Sequence, residues 1–176
     1  MVARLNLTTE PVKIAAIAVA FGGVAAIVGA FYFQYALGLQ PCPLCLDQRV
    51  AYYVSIPLAV LVALGASVGA SRKVLTAALV VIAAAMIFNV GLGIYHSGIE
   101  WKFWAGPADC AGPLNSLGST GGLLQQLQNI RVVRCDEAAW RFLGLSLAGY
   151  NVLISLALAG IALWGARAAY QRPAES

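Results

Sequence analysis

VLTAALVVIAAAMIFNVGLGIYHS, from Val74 to Ser97, runs for 24 residues without an Asp, Glu, Lys or Arg. As a helix it would rise about 36 Å at 1.5 Å per residue, more than the ~30 Å thickness of a bilayer's hydrocarbon core. It is apolar all round, which a helix at the surface of a soluble protein is not. Three further stretches also lack charge: Ile14 to Phe33, Val50 to Ser71 and Phe142 to Ala166. Hydrophobic residues make up 61% of the chain and charged residues only 10%, against roughly 25% charged in soluble domains. These runs predict an all-α membrane protein, a single domain over 1–176 built as an antiparallel four-helix transmembrane bundle. The expected spans are about 14–33, 46–68, 74–96 and 142–166, with one long loop at about 97–141.

The first apolar run is longer than the core of a signal peptide, and another span follows closely, so it is expected to remain as a span. Small residues along it, Gly22, Gly23, Ala26 and Ala30, would permit close helix contact. Asn89 and Asn151 lie inside spans, where interhelical hydrogen bonding is the expected role.

Orientation follows from the cations. Arg4, Lys13, Arg72, Lys73, Arg167 and Arg172 fall on one side, in short flanks beside span ends. Arg49, Lys102, Arg131, Arg134 and Arg141 fall on the other, mostly along the loop. Short flanks carry the weight, so both termini are expected in the cytoplasm. The net charge of +4 is spread over span ends and forms no patch, which excludes nucleic acid as a partner.

All four cysteines then face away from the cytoplasm, where disulfides persist. Cys42 and Cys45 form a C-P-L-C motif at the mouth of the second span. Pro43 suits the first helical position, which makes Cys42 the N-cap and puts Cys45 in the first turn, near the positive end of the helix dipole. Arg49 is four residues after Cys45, on the same helix face. A charge pair about 6 Å apart at an effective dielectric of about 20 is worth roughly 3 kcal/mol. Cys45 is therefore expected to be poised as thiolate, while which sulfur is the more reactive stays open, Cys42 being expected nearer the surface and Cys45 deeper.

Cys110 and Cys135 lie in the long loop. A bridge between them would close the loop with a chain-entropy gain of about 3.5 kcal/mol, so a purely structural staple and a redox pair both remain open. Zinc is disfavoured, because the second half-site lacks close spacing and His96 is the only histidine. His96 ends the third span, level with Cys45 and Arg49 if neighbours are antiparallel, and Glu100 follows four residues on. Around them, Trp101, Trp104 and Trp140 are expected at headgroup level. Leu123, Leu124, Leu127 and Ile130 form an amphipathic stretch suited to the membrane surface, after pliable Gly118, Gly121 and Gly122.

C-P-L-C-L-D-Q-R (Cys42 to Arg49), Y-H-S-G-I-E (Tyr95 to Glu100) and C-D-E-A-A-W-R-F-L-G-L (Cys135 to Leu145) together resemble the DsbB disulfide bond formation proteins. The likeness extends over essentially the whole chain in span number, loop sizes and cysteine order. It implies a multi-pass protein of the bacterial inner membrane, its loop in the periplasm, in the known DsbA–DsbB–quinone system that keeps that compartment oxidising. The implied partner is a periplasmic thioredoxin-like, DsbA-like thiol oxidase, and the implied cofactor is ubiquinone or menaquinone. By motif, Cys110 would form the mixed disulfide with the partner and Cys135 would be its companion. Cys42 would exchange with the loop pair, and Cys45 would pass electrons to quinone with Arg49 assisting. His96 and Glu100 match positions near the quinone. Vitamin K epoxide reductase-like proteins share the bundle and the two cysteine pairs, but carry the pairs in the opposite order. A stapled, non-catalytic scaffold is the alternative from another class; no broken-helix repeat suggests a transport pathway.

Overall fold

In a computed structural model, residues 10–107 and 134–171 are described. Four helices are long and apolar enough to cross a membrane. Helix α1 spans Glu10–Phe31 and continues through a π-helical turn, Tyr32–Ala36; α2 spans Pro43–Ser67 and α3 Arg72–Glu100. A two-stranded hairpin follows, β1 Arg141–Phe142 and β2 Leu145–Ser146, then α4, Leu147–Tyr170. The helices pack in a ring in chain order, α1 on α2, α2 on α3, α3 on α4 and α4 on α1.

Local chemistry sets the boundaries. Ser71 caps α3 and Ser146 caps α4, each hydroxyl accepting a backbone N–H of the first turn. Charge-free sequence suggests that the last span begins at Phe142, but the helix begins at Leu147. Leu143 and Gly144 both have positive φ, 48° and 83°, the geometry of a tight hairpin turn, so Arg141 pairs with Ser146 and Phe142 with Leu145. Likewise α3 continues to Glu100, beyond the expected end near His96, so His96, Ile99 and Glu100 are all buried on its last turns.

Packing relies on small residues. A side chain at Gly23 would meet Ile56 at 2.8 Å, and one at Gly22 would meet Leu158 at 2.8 Å, so these two glycines let α1 close on α2 and α4. Far from the cysteines the interior is aliphatic, with Val19, Val62, Leu79 and Ile82 fully enclosed. Outward-facing Phe21, Leu61, Phe88 and Leu156 remain exposed, as expected of side chains that meet lipid. At the cysteine end, Cys42, Leu44, Ile99 and Cys135 form a separate small core. That core positions the chemistry.

Candidate thiol redox site

Cys42 caps α2 from an extended backbone, and its sulfur accepts the Cys45 N–H at 3.3 Å. Pro43 occupies the first turn, as its missing N–H allows. The two sulfurs lie 3.0 Å apart and are not bonded to each other. His96 Nε2 is 3.6 Å from the Cys42 sulfur. These contacts converge on Cys42 and correct the expectation that Cys45 is the poised sulfur. The hydrogen-bonded Cys45 thiol, with His96 assisting, holds the Cys42 thiol well below its ordinary range despite burial. Arg49, meanwhile, donates to Gln34 Oε1 at 2.8 Å and lies over the Phe31 ring, 5.3 Å from its centroid.

Cys135 is buried and disulfide-bonded. Cys110 lies outside the described residues, as do the amphipathic stretch of 123–130 and the glycines before it. The sulfurs of Cys42 and Cys135 and a ring nitrogen of His96 lie within 4.8 Å of one another. Such a trio resembles a partial metal site, but one of its sulfurs is already held in a disulfide. The juxtaposition suits exchange between a thiol and that disulfide. Beside Cys135, Asp136 bonds Lys102 at 2.7 Å and Arg134 at 2.9 Å, linking the later part of the loop to the end of α3. These two cations hold the Asp136 carboxyl well below its ordinary range.

On the other side of the CxxC motif lies a cavity of about 680 Å³ between α1, α2 and α4. Its wall is largely apolar, with Ala26, Ala30, Phe33 and Ile154 among its residues, and its polar part includes Cys45, Gln48, Arg49 and His96. Cys42 and Glu100 do not line it. Glu100 is buried beside His96, its Oε1 3.8 Å from Nε2, and its Oε2 has no hydrogen-bond partner among the described residues. Trp140 contributes to the cavity and stacks against Phe142 and near Phe33, beyond the interfacial role expected of it. Trp101 and Trp104 are exposed at the end of α3, and Gly98 leaves room for the Trp104 ring to lie against that helix.

Two glutamines escape sequence reading. Gln34 reaches Arg49 from the π-helical turn of α1, and no periodicity marks it. Gln48 hydrogen-bonds His96 Nδ1 at 2.9 Å; its sequence signals are its position three residues after Cys45 and its place in the C-P-L-C-L-D-Q-R stretch, neither of which points to His96. Asn89 and Asn151 do hydrogen-bond between helices as expected, at 3.4 Å.

The family described as "Disulfide bond formation protein DsbB" matches residues 12–165. Among individual relatives, "Disulfide bond formation protein B" of Xanthomonas campestris pv. campestris (strain 8004) is 31% identical over 144 residues, 81% of each protein. The protein of that name from Xanthomonas axonopodis pv. citri (strain 306) is 34% identical over 148 residues, again 81% of each. The one from Xylella fastidiosa (strain Temecula1) is 29% identical over 148 residues, 82% of this chain and 84% of the relative. No solved structure matches.

Proposed function

Because this chain belongs to the DsbB family of disulfide bond formation proteins, a multi-pass membrane protein with disulfide oxidoreductase activity, we propose that it reoxidises a periplasmic DsbA-like dithiol oxidase and delivers the electrons to membrane quinone. One observation carries this reading. Cys42 faces the disulfide-bonded Cys135, whereas Cys45 faces the cavity. The motif's two sulfurs thus address two different sites.

The relay balances as successive exchanges. A partner thiolate attacks Cys110 of a Cys110–Cys135 disulfide and releases the Cys135 thiolate. Cys135 attacks Cys42 of an oxidised Cys42–Cys45 pair, forming Cys42–Cys135 and releasing Cys45. The second partner thiolate resolves the mixed disulfide, leaving the partner oxidised and Cys110 reduced. Cys110 then attacks Cys135, restoring the loop disulfide and releasing Cys42. The sum moves two electrons from the partner dithiol to Cys42 and Cys45.

The cavity fits a quinone headgroup: its volume lies within the ~300–1,000 Å³ of small-molecule sites, and its apolar wall carries a few convergent polar groups. Arg49 and His96 would hold the ring beside Cys45. A bound quinone supplies uptake of two electrons and two protons. Arg49, held by Gln34, would offer its positive charge to a ring that gains electron density there. Both termini lie in the cytoplasm and both cysteine pairs in the periplasm of an inner-membrane protein, as the flanking cations favour.

Anaerobic mixing of the purified protein with a reduced thioredoxin-like dithiol protein and ubiquinone tests the reading; menaquinone is run in parallel. One quinol should form per dithiol oxidised, and Cys45→Ser should abolish quinol formation. Folded protein that oxidises the dithiol without reducing either quinone would refute it.

A further inference from the structure

The bundle centre at the cysteine end holds a row of polar side chains almost closed to solvent: Asn89 and Ser155 are 0% exposed, Tyr52 and His96 3%, and Gln48 5%. Away from water such groups bond one another, and the donor and acceptor ends of each amide constrain the next, although Asn89 Oδ1 has no partner among the described residues. Asn151 Oδ1 accepts the Tyr52 hydroxyl at 2.6 Å and Asn89 Nδ2 at 3.4 Å. Its amide nitrogen is left to donate to Gln48 Oε1, at 2.6 Å. The Gln48 nitrogen therefore donates to His96 Nδ1, at 2.9 Å. A ring nitrogen that accepts a hydrogen bond carries no proton, so the hydrogen of the neutral imidazole sits on Nε2. Nε2 faces Cys42 Sγ at 3.6 Å and Glu100 Oε1 at 3.8 Å.

We propose that Gln48, oriented by Asn151, is a positioning residue that holds His96 as its Nε2–H tautomer, so that the imidazole meets Cys42 as a hydrogen-bond donor. The role rests on the reading of Cys42 as the exchanging sulfur. It reverses the polarity of Cys–His pairs in which the ring takes the thiol proton. When Cys110 attacks Cys135, the Cys42–Cys135 bond breaks and its electron pair leaves on Cys42. The ring N–H stabilises that thiolate and keeps its proton. Gln48 and Asn151 neither gain nor lose protons in this step; they fix the ring.

His96 is the only histidine in the chain, so ¹⁵N labelling of histidine gives one pair of ring resonances. In detergent-solubilised wild-type protein, Nε2 should be protonated and Nδ1 should not. Gln48→Glu replaces the donor at Nδ1 with an acceptor of similar shape and should bring a proton onto Nδ1. Gln48→Leu should leave mixed tautomers and slow Cys42–Cys135 exchange about tenfold or more, the loss of a hydrogen bond to a charged group. Protonated Nδ1 in the wild type overturns the proposal, as does unprotonated Nδ1 in Gln48→Glu. Unchanged exchange in Gln48→Leu overturns the role. The ring spectra need neither partner nor quinone, so they are separate from failure of the relay, which would show as no exchange in the wild-type chain.

Discussion

Arg49 shares a face with Cys45 by its i+4 position and contributes to the cavity, yet its resolved contacts are Gln34 and the face of Phe31. Those contacts fix a charge at the cavity, and among the described residues no carboxylate is paired with it. Arg49→His should therefore weaken quinone use more than exchange with the partner. A hydrogen bond to a charged group is worth roughly 1.5–3 kcal/mol, so the apparent KM for quinone should rise about tenfold or more. Steady-state kinetics at varied quinone would check this, and an unchanged quinone dependence would remove Arg49 from the site. The sequence made Cys42 legible as an N-cap, through Pro43, and Arg49 legible through helical spacing. It misassigned the poised sulfur, because spacing along one helix does not reveal that His96, on another helix, lies 3.6 Å from the Cys42 sulfur. Gln34 was illegible for the same reason: its partner is set by packing of α1 on α2.

The helices were readable from charge-free length, but their contacts depend on single atoms. Gly23 sits where any Cβ would lie 2.8 Å from Ile56, whereas Gly160 has no neighbour within 4 Å of such a Cβ. Gly23→Val should destabilise the bundle by about 1–3 kcal/mol through overpacking, and Gly160→Ala should not destabilise it. Unfolding in detergent would compare the two; equal effects would place the α1–α2 contact elsewhere. The same first segment suggested close helix approach from composition alone, and the distances at Gly22 and Gly23 supply the partners. The start of α4 was not readable. Phe142, Leu143 and Leu145 are as apolar as a span, and only the positive φ of Leu143 and Gly144 and the Ser146 cap reveal a hairpin there.

In the proposed relay two tasks are divided across one cysteine motif, with the Cys135 disulfide on one side and an apolar cavity on the other. This arrangement requires both pairs on the same face of the membrane. In intact, reduced cells a membrane-impermeant thiol reagent should label Cys110; labelling only after lysis would overturn the orientation drawn from the flanking cations. Sequence alone left the loop pair divided between staple and redox centre, since spacing says nothing of what a loop cysteine packs against. Burial of Cys135 beside Cys42 and His96 favours the redox role. The relay stands or falls on direct exchange between Cys42 and Cys135. The double variant Cys45→Ser, Cys110→Ser leaves only those two cysteines, and mild diamide oxidation of the purified protein followed by peptide mass spectrometry reads their bonding. A Cys42–Cys135 linked peptide should dominate. Two separately alkylated cysteines in a folded, helical protein would contradict the relay.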